Sequence, residues 1–277
     1  MKMIEQPIFQ TCTLETHFSD FDSLTGGLFP SDLIVIAGRP SNGKTALVMN
    51  IAENVALFDQ KVVGVFSPEM SREALFRRMM CSQALVDSHH LRSGFVNKAE
   101  LEKLLSALSR LADAPIFIEE VCPISVTEMR TKCRLLRRKY YRLDLIVVDC
   151  LQYVRADVGR VYSSGTEAEE LSAAVRALKV LAREFECPVL TTCQLEGGRN
   201  RPTWSDLNKC GSVEQDADVV AFVFREDLYH PEDPERDGRA EVIVAKQRNG
   251  PTGIVKMAFI KNCTRFASWS NQTWEGQ

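Results

Sequence analysis

The stretch Gly38-Arg39-Pro40-Ser41-Asn42-Gly43-Lys44-Thr45 decides the reading of this chain. It fits G-x-x-x-x-G-K-[ST], in which glycines let backbone N–H groups curl around phosphates, the lysine reaches the outer phosphates and the threonine hydroxyl holds Mg²⁺. A glycine-rich surface turn can carry the same letters, so the flanks matter. Leu33-Ile34-Val35-Ile36-Ala37 precedes it, a short apolar run that reads as a buried strand. Ala46 to Phe58 follows with helical spacing, at Leu47, Asn50, Ile51, Asn54, Val55 and Phe58. Strand, glycine loop and helix form the context that phosphate binding requires. All eight loop residues are therefore candidate nucleotide ligands.

Strand and helix patterns alternate from there on. Lys61–Phe66 reads as a second strand, and Ser71–Val86 as a helix capped by Ser71 with Glu73 in its first turn. Lys98–Leu111 reads as an amphipathic helix with Leu101, Leu104, Leu105, Leu108 and Leu111 on one face. Pro115–Ile118 is a short strand, Ser125–Tyr141 a very basic helix, Leu143–Asp149 a strand and Val154–Gly165 a loop. Glu167–Phe185 is a helix with Leu171, Ala174, Leu178 and Leu181 on its buried stripe. A strand at Pro188–Cys193, a polar loop at Glu196–Glu214 and a strand at Val219–Phe224 follow. Glu241–Lys246 and Ile254–Phe259 make a hairpin. The alternation predicts one α/β domain, a mostly parallel central sheet flanked by helices with an antiparallel hairpin at one edge.

Composition bounds the function. With 277 residues the chain has room for a sizeable core, and a net charge of −3 rules out a general basic coat for nucleic acid, so any such surface is local. The nine cysteines form no C-x-x-C pair and no zinc spacing. Their scatter, with no apolar leader over Met1–Thr16, predicts reduced thiols and a cytoplasmic location. No apolar run approaches the ~20 residues that span a membrane.

Four further features gather around the loop. Asp149 ends the apolar strand Leu145-Ile146-Val147-Val148, at the carboxyl edge where open α/β sheets bind ligands, and is suited to order Mg²⁺ opposite Thr45. Glu69, in Phe66-Ser67-Pro68-Glu69-Met70, emerges at the same edge and is either a base for an attacking water or a carboxylate favoured at a helix start. Gln194 follows the strand Val189–Cys193 and offers a neutral donor and acceptor. Lys246 and Arg248 alternate by two, so they point to one strand face, either as solvated charges or as a cationic finger.

On these motifs the chain resembles the C-terminal motor domain of DnaB-type replicative helicases, hexameric RecA-like helicases of superfamily 4. The matching stretches begin with Leu24-Thr25-Gly26-Gly27-Leu28, the phosphate loop, Phe66–Met70, Asp149-Cys150-Leu151-Gln152, Arg176–Ala182 and Cys193-Gln194-Leu195. They end with Arg201-Pro202, Ser205-Asp206-Leu207, Glu214-Gln215-Asp216-Ala217-Asp218, Ala245–Gly253 and Thr264-Arg265-Phe266. The resemblance implies a RecA-like P-loop NTPase fold with ATP and Mg²⁺ as cofactors. Gly38 to Thr45 then bind ATP, Thr45 and Asp149 hold Mg²⁺, Glu69 is the catalytic base, and Gln194 couples the γ-phosphate to nearby DNA loops. Lys246 and Arg248 act on the next subunit's nucleotide, so partners are single-stranded DNA and further copies in a ring, with a replication loader or primase beyond. Residues 1–19 are then an arm or linker remnant and 20–277 the motor domain.

Three departures bear on that reading. Pro68 stands where the family usually has leucine, stiffening the turn before Glu69. Asn208-Lys209-Cys210-Gly211 replaces the usual Arg-Glu-Ser-Gly of the loop that meets the DNA backbone. Asn208, Lys209 and Gly211 stay candidate DNA contacts, with Arg155, Arg160, Arg199 and Arg201 as further phosphate partners. The family's N-terminal domain and most of its linker helix are missing from this sequence, which leaves an alternative open: a RecA-like, ATP-switched DNA- or partner-binding ATPase that does not unwind.

Overall fold

The computed structural model describes residues 13–156, 166–198, 200–207, 210–230, 233 and 236–269. Its elements run α1 (Ser19–Thr25), β1 (Leu33–Gly38), α2 (Lys44–Phe58), β2 (Val63–Phe66), α3 (Arg72–Ala84), α4 (Ser88–Ser93) and α5 (Lys98–Asp113). They continue with β3 (Ile116–Glu119), β4 (Ile124–Ser125), α6 (Val126–Tyr140), β5 (Leu145–Val148), β6 (Val154–Arg155), α7 (Glu167–Phe185) and β7 (Val189–Gln194). Last come α8 (Val213–Asp216), β8 (Val219–Arg225), β9 (Arg239–Gln247), β10 (Gly253–Ile260) and β11 (Arg265–Ser268). The main sheet has nine strands in the order β11-β10-β9-β8-β1-β7-β5-β2-β3. From β8 to β3 every pairing is parallel, and β9, β10 and β11 join antiparallel.

Strand β1 shows why the apolar run is continuous. Ile34 and Ile36 pack into one core with α2, while Leu33, Val35 and Ala37 pack into the other with α7. A strand covered on both faces has no solvent side to alternate with. The predicted stripe of α7 is buried as expected, and its start is fixed by a capping box in which Thr166 accepts from the Glu169 N–H and Glu169 accepts from that of Thr166. The same device starts α6 at Ser125 and Glu128, and α5 at Asn97 and Glu100.

Two expectations differ. In α5 only Leu104, Ala107 and Leu111 are buried, whereas Leu101, Leu105 and Leu108 are 50%, 55% and 39% exposed. The helix packs mainly on α3, so only a narrow strip of its surface is covered. In the expected loop after Tyr153, Val154–Arg155 forms a strand that pairs with Ile124–Ser125, while 157–165 lie outside the described residues. Leu14, Thr16 and Phe18 are buried, and Leu14 bridges to Leu28, so packing into the domain already begins before α1. No helix among the described residues is long and apolar enough to cross a membrane.

One buried carboxyl ties the phosphate-loop helix to its neighbours. Glu53 on α2 accepts from Gln83 Nε2 at 2.7 Å and from the Ser82 hydroxyl at 3.4 Å, and Arg265 donates to Ser82 from β11. Burial pushes Glu53 up to about 7, against the opposing hydrogen bond from Gln83 and charge of Arg265. A carboxyl raised this way favours folding while protonated. Its contribution is complete below the unfolded value near 4.5 and is lost as pH rises through 7, by about 3 kcal/mol in all. The urea midpoint of the native chain should therefore fall between pH 4.5 and 8 relative to that of Glu53→Gln. Parallel pH profiles for the two would contradict this assignment.

Candidate active site

The carboxyl ends of β1, β2, β5, β7 and β8 deliver their next residues to one cleft of about 600 Å³. Lys44, Thr45, Glu69, Asp149 and Gln194 all line it. The phosphate loop follows β1 and turns at Gly43, whose φ of +94° suits glycine and whose missing Cβ would lie 3.0 Å from the Phe266 ring. No side chain caps α2 at that point, so its first backbone N–H groups are left for an anion. Lys44 Nζ donates to the Arg39 carbonyl at 3.0 Å. Burial lowers the Lys44 ammonium's pKa, and Asp149 is the foremost charge opposing that.

Asp149 is 2% exposed and is held from one side only. Its Oδ1 accepts from the Thr192 hydroxyl, while its Oδ2 is buried without a hydrogen-bond partner. An orphaned carboxylate oxygen in a cleft that also contains the Thr45 hydroxyl suits a hard cation with oxygen ligands. These residues fit Mg²⁺, which takes few protein ligands and completes its shell with water and phosphate. Glu69 is exposed on a turn that Ser67 closes, its hydroxyl donating to the Met70 carbonyl at 3.0 Å and accepting from the Met70 N–H at 3.3 Å. Pro68 sits inside that turn, where its missing N–H is not required. The Gln194 side chain is exposed to the cleft, and its backbone carbonyl accepts from Gln152 Nε2 at 3.1 Å.

Arg39 and Asn42 use their side chains differently from the expectation. The Arg39 guanidinium, 6% exposed, turns away from the loop's concavity. It donates to the carbonyls of Gly197 and Asn200 and lies 3.5 Å from Asp206. The Asn42 amide donates to Tyr229 Oη at 3.1 Å and to the Pro40 carbonyl at 3.3 Å, and its oxygen accepts from the Arg225 N–H at 2.9 Å. Both side chains brace the loop.

Lys246 and Arg248 do share one face, as their spacing predicts. Lys246 Nζ donates to the carbonyls of Ala217 at 2.6 Å and Glu214 at 2.7 Å, and Arg248 to those of Gln215 at 2.7 Å and Ala217 at 3.4 Å. Burial lowers the Lys246 ammonium's pKa, with nearby Arg248 adding to the effect. The pair stands at the opposite edge of the sheet from the phosphate loop. The Arg248 N–H donates to the Asp218 carbonyl, the Asp218 N–H to the carbonyl of Leu33 where β1 begins, and the loop starts where β1 ends. Six residues of strand separate the two levels, about 17 Å.

Of the expected DNA contacts, Arg201 is paired with Glu241 at 2.6 Å, which ties its segment to β9. Gly211 packs on α7, where a Cβ would lie 2.6 Å from the Ser172 nitrogen. Arg155 is exposed and donates to the Gln152 carbonyl at 3.1 Å. Arg160, Arg199, Asn208 and Lys209 lie outside the described residues. Thr264, from the matching stretch Thr264-Arg265-Phe266, also lines the cleft, as do Arg78, Arg225, Phe259 and Lys261, which carry no local sequence signal. Arg225 is buried over the Phe259 ring at 4.0 Å and paired with Asp227 at 2.8 Å.

Fold and cleft together define a RecA-like phosphate-loop domain. The family described as DnaB-like helicase C terminal domain matches residues 13–268, and the chain belongs to that family. It is 41% identical over 269 residues to the replicative DNA helicase DnaB of Geobacillus stearothermophilus, covering 95% of this chain and 58% of that protein. It is 40% identical over 260 residues to the replicative DNA helicase DnaC of Bacillus subtilis, covering 92% and 56%. The chain thus spans little more than half the length of these curated relatives. Among solved structures, the ATPase domain of G40P superposes with a TM-score of 0.85 at 29% identity, covering 94% of this chain and 92% of that one. A DnaB-like replicative helicase described with its primase interactions gives 0.87 at 29% identity, covering 96% and 64%.

Replacing Lys44 with alanine should abolish nucleotide turnover, by at least about 10²-fold, since no other group of the loop carries a cation to the phosphates. Phosphate-release kinetics at saturating nucleotide measure it. Turnover retained within a few-fold would remove the lysine from the site.

Proposed function

We propose that this domain hydrolyses ATP in the cleft and uses the cycle to move along single-stranded DNA as the motor of a replicative DNA helicase. In this reading the backbone amides at the start of α2 and Lys44 hold the phosphates. Thr45 and Asp149 Oδ2 hold Mg²⁺, which when bound neutralises phosphate charge. Glu69 takes the proton of the attacking water, and Gln194 senses the γ-phosphate and passes its position to the segment that follows β7.

The observation that carries the reading is the placement of Lys246 and Arg248. Both cations are about 17 Å of strand from their own phosphate loop, yet they rest on the Glu214–Asp218 run at an exposed edge of the sheet. A neighbouring copy in a ring, a hexamer in this reading, can receive them as a finger toward its nucleotide, so each site takes its parts from two chains. Loader and primase partners, and the activity of the longer protein, belong to the same proposal.

Two experiments test it. Arg248→Ala should bind ATP near normally but lose turnover, and so should Glu69→Gln. An equimolar mixture should regain a measurable share, because sites between unlike copies contain both intact groups. A mixture as inactive as its components would place Arg248 in cis. On a forked duplex, the intact chain should displace a strand in an ATP-dependent manner. DNA-stimulated hydrolysis without displacement would favour the nucleotide-switched binding alternative.

A further inference from the structure

One side chain fastens the phosphate loop to the chain that follows β7. Arg39 is the first residue past β1, and its buried guanidinium commits all three nitrogens. Nε donates to the Gly197 carbonyl, Nη1 donates to the Asn200 carbonyl, and Nη2 lies 3.5 Å from Asp206 Oδ1. Asp206 is itself oriented, its Oδ2 accepting from the Thr203 N–H at 2.7 Å. A planar fork thus meets three fixed points, a fit that a single ammonium cannot reproduce. Arg39 also faces the nucleotide from its other end. Its backbone carbonyl accepts from Lys44 Nζ at 3.0 Å and from the Asn42 N–H at 3.3 Å. The peptide of this residue carries the resting partner of the phosphate-binding lysine, and its side chain carries the tie to Gly197, Asn200 and Asp206. Gln194 meets the cleft separately, at the end of β7.

We propose that Arg39 is a positioning residue that makes the Gly197 and Asn200 carbonyls and the Asp206 turn respond to the occupant of the phosphate loop. A β-phosphate in the loop competes for the Lys44 ammonium that now rests on the Arg39 carbonyl. The filled loop is held by more partners than the empty one, and the residues clamped by the guanidinium inherit that rigidity. Ligands of the loop and of the clamped residues must then alter each other's affinity by the same factor.

Under the proposed function the second ligand is single-stranded DNA. Arg201, an expected phosphate contact, directly follows Asn200, so whatever steadies that carbonyl steadies the contact. Arg39 then adds to Gln194 a second coupling, which senses the β-phosphate rather than the γ-phosphate. The link to DNA rests on the proposed motor function; the response of the clamped residues to nucleotide does not.

The test uses the full chain with ADP and Mg²⁺, because ADP has a β-phosphate and no γ-phosphate for Gln194 to sense. Hydrogen exchange with mass spectrometry, at ADP levels saturating for each variant, follows peptides of 195–207, and peptides of α2 report occupancy. In the native chain ADP should slow exchange in 195–207 at least about three-fold. In Arg39→Lys that slowing should vanish while α2 stays protected by ADP. Asp206→Asn, which leaves every loop residue intact, should keep only part of it. Slowing of native size in Arg39→Lys, or none in a native chain whose α2 is protected, would overturn the coupling. If Arg39→Lys shows no protection of α2, Asp206→Asn decides, and a response of native size there would overturn it. Stimulation of turnover by single-stranded DNA should fall at least about five-fold in Arg39→Lys, relative to its own DNA-free rate. A native stimulation ratio with the slowing lost would overturn the link to DNA. A native chain that shows the slowing but no stimulation by DNA would uphold the coupling and count against the proposed function instead.

Discussion

Parallel hydrogen bonding holds β1 between β7 and β8, and the cleft follows from that register. Gly38 is level with Gln194, Ala37 with Phe222, Val148 with Thr191 and Phe66 with Val148. The strand ends are therefore in step, and each chain segment that leaves the sheet there starts at the same height. Glu69 arrives three residues past β2, Asp149 one past β5, Gln194 at the last position of β7 and the phosphate loop directly after β1. Because side chains alternate along a strand, slipping β5 by one residue against β7 would turn Asp149 away from the Thr192 hydroxyl. Apolar packing on both faces makes such a slip expensive, so core and site are fixed by one constraint.

Polar residues on the strands reinforce it. Thr191 and Thr192 are buried in β7 among valine, leucine and cysteine. Thr191 donates to the Val148 carbonyl at 2.9 Å, and Thr192 to Asp149. Both bonds go to β5 or the residue after it, so the hydroxyls pin two neighbouring strands where an aliphatic pair would only fill space. Asp149 Oδ2 is not satisfied this way, and with Thr264 Oγ1 it is a buried, unpartnered oxygen on the cleft, which marks a place for a ligand.

What could be read from the letters alone was whatever depends on near neighbours. Strand, glycine loop and helix are consecutive, so spacing revealed Lys44, Thr45 and the layer order. The cap at Ser71 is equally local. Asp149 and Glu69 needed one further rule, that parallel strands present their carboxyl ends together. The rest depends on distant pairings. Arg39 and Gly197 are 158 positions apart and Asn42 and Tyr229 are 187 apart, so nothing near the loop says that these two side chains brace it. The five leucines of α5 fit an amphipathic pattern, but how wide a strip is covered depends on which helices arrive beside it. Lys246 and Arg248 were readable as a same-face pair, whereas their level at the opposite end of the strands from the phosphate loop required the register of β9 on β8.

The Arg39 clamp bears on how segments of this domain can be exchanged. Its guanidinium occupies the space where a Cβ on Gly198 would stand, 2.5 Å from the nearest nitrogen. The two positions therefore form a key and its recess. Grafting the 195–206 segment from another protein would preserve the phosphate loop's footing only if the graft carried a glycine there and carbonyls at the heights of Gly197 and Asn200. Transplanting the phosphate loop alone would carry a long cation into a foreign surface with no recess to receive it. In chimeras the loop and this segment have to travel together as one unit of inheritance, although more than 150 residues lie between them.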